Sequence, residues 1–167
     1  MPNQIYFFAF QFVRILGRKS SVFYQSPMIP KEITIADLNA LNKNTMMEHI
    51  GIEFTAVGHD FVEAKMPVDH RTHQPYGLLH GGASVVLAET LGSVAAHLAV
   101  TGQQKLTVGL EVNANHLKGI KKGFVFGKAK PLHVGRSTHV WEITITDEHQ
   151  NKVCVSRITM AVIDKKG

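Results

Sequence analysis

The sequence is poor in the residues that staple chains, coordinate metals or cross membranes. It has one cysteine, Cys154, in 167 residues. No internal disulfide can form, so a reducing compartment, the cytoplasm, is expected. Cys154 sits in the alternating run Lys152-Val-Cys-Val-Ser156, which reads as a buried structural thiol on a strand rather than a nucleophile. The ten histidines are scattered. None stands at ligand spacing with a second His and a Glu, so neither a metal nor any other cofactor is expected. No apolar stretch reads as reaching the roughly 18 residues of a membrane-spanning helix. The long run from Ile5 to Leu16 is broken by Gln11 and Arg14, and no integral membrane association is expected. Charged residues make up only 19%, with no long block of one sign, no repeat and no low-complexity segment.

Acids are missing altogether from residues 1–27, which carry Arg14, Arg18 and Lys19. These three account for most of the net charge of +5 and leave about +2 for the rest of the chain. Nucleic acid is therefore not expected as a partner. The segment lacks the basic start and small-residue cleavage site of a secretory signal. It reads as a disordered extension or as the product of too early a start codon, with Met28 as the true start. An amphipathic membrane anchor is the competing reading.

The chain as a whole is 44% hydrophobic, enough for one domain over residues 28–167 with a real core. Thr34 precedes a short helical run from Ile35 to Leu41, with Asp37 in its first turn. Ile52–Val57 and Phe61–Val68 read as two strands of a hairpin around Gly58-His59-Asp60. Pro75 and Gly77 mark a loop from Asp69 to Gly77. Gly81 to about Val100 reads as a long helix, apolar nearly all round and so largely buried. Four strand-like runs follow, Leu106–His116, Phe124–Pro131, Thr138–Asp147 and Lys152–Ile163, expected to form a meander. This order fits an α+β fold in which an antiparallel sheet wraps one long helix, and disfavours a doubly wound parallel sheet.

Glu89 is the single charge in that helix. A carboxylate there is costly unless paired or set at a cleft, and position alone does not choose between a satisfied structural acid and a working one. The helix opens on Gly81-Gly82, where exposed backbone N–H groups and the helix dipole can serve an oxyanion. Gly81 and Glu89 are eight residues apart, about 12 Å along the axis. One helix does not readily bring both to one carbonyl; either the substrate spans them or a second subunit supplies one.

The run from Gln74 through Pro-Tyr-Gly-Leu-Leu to His80-Gly81-Gly82, and on to Glu89 and Ser93, closely resembles the hot-dog-fold thioesterases of the 4-hydroxybenzoyl-CoA thioesterase superfamily. It is most similar to the bacterial subgroup that includes the 1,4-dihydroxy-2-naphthoyl-CoA thioesterase of menaquinone synthesis and the enterobactin-pathway proofreading thioesterase. The runs Met66–Arg71, Val108–His116, Lys130–Gly135 and Val140-Trp141 fit the same subgroup. Members tend to begin near the position of Met28.

The resemblance implies acyl-CoA hydrolysis, with Glu89 as nucleophile or as general base on water. Gln74 and His80 would line the thioester, the Gly81 N–H would hold the oxyanion, and Ser93, one turn past Glu89, would assist. The site would lie across a homodimer interface, Glu89 facing the partner's Gln74, His80 and Gly81, with dimers assembling to a tetramer. Implied CoA-binding positions are Gly109, His116, Leu117, Lys118 and Gly119, then His133, Val134, Gly135, Arg136, Ser137 and Thr138. Lys118 and Arg136 would be the phosphate partners.

An aromatic acyl group is favoured on the same ground. One rival is hydrolysis of a misacylated carrier protein docked on Lys118, Lys121 and Lys122. A non-catalytic acyl-CoA-binding module is a second, disfavoured by the joint presence of Glu89, Gln74 and His80. A hot-dog dehydratase is a third, disfavoured because its His-plus-acid pair would sit elsewhere.

Overall fold

The computed structural model describes residues 29–165. The expectations for residues 1–27 fall outside them. Two short helices come first, α1 (Ile35–Ala40) and α2 (Met46–Ile50), then strands β1 (Glu53–Val57) and β2 (Val62–Val68). The long helix α3 (Gly81–Ala99) follows, then β3 (Lys105–His116), β4 (Gly123–Val134), β5 (Thr138–Asp147) and β6 (Lys152–Asp164). Thr34 caps α1 as read from the sequence: its hydroxyl accepts from the Asp37 N–H, and the Asp37 carboxylate accepts from the Thr34 N–H. Such a reciprocal cap contributes about 1 kcal/mol. Helix α2, capped by Thr45 and ended by left-handed Gly51, has too few residues for its periodicity to stand out.

The six strands form one antiparallel sheet in the order β1-β2-β4-β5-β6-β3. The expected four-strand meander is corrected here. Only β4-β5-β6 is a meander, and β3 pairs with β6 along nearly its whole length. The reason is α3: it crosses the sheet from the end of β2, so the next strand lands at the far edge and the meander fills the gap. Pro131 does not end β4 as expected. The strand continues through a bulge between Pro131 and His133. Pairing with β2 stops at Ala129, so at Pro131 β4 has a bare side, where a missing N–H is tolerated.

Helix α3 packs on β2 through β6. Leu87, Ala88, Leu91, Ala95 and Ala96 are fully buried against a floor that includes Trp141, Ile143, Ile145, Ile158 and Met160. Burying each leucine contributes about 1.5–3 kcal/mol. Gly92 allows the close approach: a Cβ there would stand 2.3 Å from Ile158 Cγ2.

Two expectations about this helix need correction. By length and composition it is long and apolar enough to span a bilayer, contrary to the reading that no such stretch exists, although its packing is that of a core helix. Nor is it buried all round. Gly82, Glu89 and His97 are exposed, and Ser93 is half-buried. They form a stripe along one side of the helix, which the high apolar content concealed.

The sheet's two edges differ. At the β1 edge, Asn39 of α1 imitates a neighbouring strand, its amide donating to the Phe54 carbonyl (3.1 Å) while its oxygen accepts from the Phe54 N–H (2.8 Å). Edge strand β3 has no such cover among the described residues, and it exposes Leu106, Val108 and Leu110.

Candidate active site

The N-terminus of α3 carries the first half of the site. The chain enters it through a loop pinned by its main chain: His80 N–H donates to Thr72 O (2.8 Å), Leu79 N–H to Ile120 O (2.7 Å) and Gln74 N–H to Leu78 O (2.8 Å). The Gln74 side-chain oxygen accepts from the Tyr76 N–H, which leaves the amide NH2 as its donor. His80 is the N-cap, and its Nδ1 accepts from the Gly82 N–H at 2.8 Å. That bond needs an unprotonated Nδ1, so neutral His80 carries its proton on Nε2 and presents a donor outward. The Gly81 N–H is one of those the helix cannot satisfy itself. A Cβ on Gly81 would lie 2.7 Å from His116 Nε2, so glycine is what lets the end of β3 approach the helix terminus.

Between these elements lies an open cleft of about 330 Å³ lined by Gln74, Gly81, Ser84, His116, Lys118 and Gly119, among others. The structure thus brings together two groups of residues singled out separately in the sequence: Gln74 and Gly81 from the implied catalytic set, and His116 to Gly119 from the implied CoA-binding set. Lys118, expected as a phosphate partner, has its ammonium on Asp147 Oδ2 at 2.6 Å. That ion pair, with the Asn151 hydrogen bonds, holds the Asp147 carboxyl well below the usual carboxylate range. Sequence reading missed Ser84, which is buried in the cleft wall. Its place one helical turn after His80 was the available signal. It also missed the clamp between His73 Nε2 and Lys121 O (2.9 Å), which no local pattern reveals.

Glu89 and Ser93 are not in this cleft. Two turns along α3, Glu89 is exposed, and a Cβ on Gly109 would be 3.7 Å from its Oε1. Gly109 lies on the bare edge strand, beside the bulge between Gly109 and Glu111. Ser93 is 3.9 Å from the sulfur of Met160. Residues His133 to Thr138 lie at the β4–β5 turn, where Gly135 N–H donates to Thr138 O (2.9 Å) and Val162 N–H to Ser137 O (2.9 Å). Since Met160 pairs with both Gly109 and His139, that turn is at the Glu89 end of the sheet, whereas Cys154 pairs with His116 at the other. Within one chain, therefore, the site falls into two halves. Cys154 is buried, with its thiol pushed up by burial, the environment of a packed thiol. No cluster of three or more His, Cys, Asp or Glu side chains suited to a metal occurs among the described residues.

Comparison with known proteins agrees with this fold. The thioesterase superfamily pattern matches residues 76–154. The chain is 51% identical over 133 residues to the 1,4-dihydroxy-2-naphthoyl-CoA hydrolase of Escherichia coli, spanning 80% of this chain and 97% of that protein. It is 50% identical over 133 residues to the proofreading thioesterase EntH of Cronobacter turicensis, spanning 80% and 96%. A solved thioesterase from Haemophilus influenzae superposes with a TM-score of 0.79 at 48% identity, covering 82% of this chain and 95% of the other. With its hot-dog sheet around α3 and relatives of this similarity, the chain belongs to the thioesterase superfamily and is a thioester hydrolase.

Proposed function

We propose that the protein hydrolyses aromatic acyl-CoA thioesters at a site shared between two subunits, with Glu89 as the catalytic carboxylate. The observation that carries this reading is the split just described: Gln74, His80 and Gly81 converge at one end of α3, while Glu89 faces outward beside the bare β3 edge. A long edge strand with exposed Leu106, Val108 and Leu110 is a surface for pairing with another strand. Two-fold antiparallel pairing of β3 with its copy, in a register centred near Val112 and Asn113, sets Gly109 opposite His116 of the partner subunit. Glu89 then meets the partner's cleft.

In this arrangement the thioester carbonyl lies against the Gly81 N–H, with the Nε2–H of His80 and the amide of Gln74 as further donors. These groups favour the negative charge that develops on oxygen in the transition state. Glu89 either takes a proton from a water that attacks the carbonyl carbon, expelling the CoA thiolate and releasing the acid, or attacks the carbon itself, expelling the thiolate to leave a mixed anhydride that water then cleaves to the acid and free Glu89. Ser93, one turn on, assists Glu89. CoA runs past His116 to Gly119, with the turn from His133 to Thr138 and its Arg136 at the opposite, partner-facing end. No cofactor is required. The aromatic acyl group, with 1,4-dihydroxy-2-naphthoyl-CoA as substrate and a role in menaquinone synthesis, is supported by the name of the Escherichia coli relative. Two such dimers would pack as a tetramer.

A second reading, proofreading of a misacylated carrier protein, is favoured by exposed Lys121 and Lys122 beside the cleft and by the name of the Cronobacter relative.

Mixed subunits test the shared site. Glu89→Ala and Gln74→Ala should each lower turnover of an aromatic acyl-CoA by about 10²-fold or more. Co-expressed in equal amounts they should recover about a quarter of wild-type turnover, since half the dimers hold one intact site of two. No recovery would place the whole site within one chain. Running the wild type on aromatic and aliphatic CoA esters and on an aryl carrier protein then separates the substrate readings.

A further inference from the structure

Asp147 ends β5 and is nearly buried, yet its two carboxylate oxygens do different work. Oδ1 accepts from the His149 N–H and the Asn151 N–H, both at 2.9 Å, and so closes the β5–β6 turn. The Asn151 side-chain amide reaches both oxygens, at 3.1 and 3.0 Å. Oδ2 also takes the Lys118 ammonium at 2.6 Å, from a segment 29 residues earlier in the chain. The turn's two main-chain donors use only Oδ1, and Lys118 on Oδ2 is the contact from outside the turn. The second bond ties the turn to the Leu117–Gly119 wall of the cleft.

The main chain of that wall is held on one side by Leu117 N–H and Lys118 N–H, both donating to Val153 O (2.8 and 3.3 Å), and on the other by Leu79 N–H on Ile120 O. Gly119 lies between these pins and has no side chain with which to hold its place. Among the described residues, the side-chain hydrogen bond that anchors the wall is Lys118 on Asp147.

We propose that Asp147 is a positioning residue for thioester hydrolysis: through Lys118 it sets the Leu117–Gly119 wall against substrate bound in the cleft. The proposal rests on reading that cleft as the substrate site. It assigns the Lys118 ammonium to the carboxylate rather than to a substrate phosphate.

Asp147→Asn tests it, because asparagine keeps an oxygen for the turn and removes the charge that holds Lys118. The expected result is a rise in KM for an acyl-CoA of about tenfold, with kcat within about twofold and an unchanged circular dichroism spectrum. Lys118→Met, at a half-exposed side chain, should do the same. The double variant should be no worse than the worse single, since both remove one interaction. A KM for Asp147→Asn within about twofold of wild type would overturn the proposal, as would multiplying effects in the double variant. A lowered KM would also overturn it, because Asp147 would then be competing with substrate for Lys118. Gln74→Ala serves as the control for the cleft. If it leaves both constants unchanged, the cleft reading falls and takes this proposal with it. If it impairs turnover while Asp147→Asn leaves KM unchanged, the positioning role alone fails.

Discussion

The two edges of the sheet show what this chain completes and what it leaves for another. At β1 the exposed backbone is met from within: Asn39 supplies one donor and one acceptor to Phe54, and α1 lies alongside. At β3 there are twelve residues of edge strand with three exposed apolar side chains, next to the exposed carboxylate of Glu89. Soluble folds ordinarily blunt such an edge with charge, proline or a covering element. Leaving it bare beside the one charge on the central helix is what the shared-site proposal turns on: there the surface that pairs would also be the surface that reacts.

A charge placed on each edge tests that contrast. Leu110→Lys should dissociate the protein to monomers by light scattering and cost about 10²-fold or more in turnover, since each monomer holds only half a site. Thr55→Lys, on exposed β1, should change neither. If Leu110→Lys stays assembled and active, the interface lies elsewhere. A smaller effect sharpens the other edge. Asn39→Ala should destabilise the fold by about 1–3 kcal/mol in denaturant unfolding, because it strips two partners from Phe54. Activity per folded molecule should stay at the wild-type level, and an equal loss of activity would mean that the β1 edge also serves the site.

Much of this was legible in the sequence, for identifiable reasons. Thr34 and Asp37 announce a capping box at fixed spacing, and β5 alternates cleanly between Thr138 and Asp147, so local rules suffice. The position of β3 was not legible, because strand order depends on where α3 carries the chain rather than on any property of residues 105–116. Glu89 stood out by charge alone, but its exposure could not be read from an apolar helix whose outward stripe is made of Gly82, Ser93 and His97, residues small or ambiguous on any hydropathy scale. The resemblance of Gln74–Ser93 to thioesterases identified the chemistry. It could not show that His116–Gly119 and His133–Thr138 lie at opposite ends of the sheet, nor that Asp147 takes the charge of Lys118. Those are pairings between distant segments, and no sequence period encodes them.

The entry loop is joined backbone to backbone to the strand-end loop across the cleft by Leu79 on Ile120, and is closed on itself by His80 on Thr72. Main-chain bonds do not depend on which side chains flank them. Residues such as Tyr76, which is 89% exposed, can therefore drift through many identities over generations while the walls keep their shape. The frame of the cleft is thereby kept separate from the exposed side chains around it.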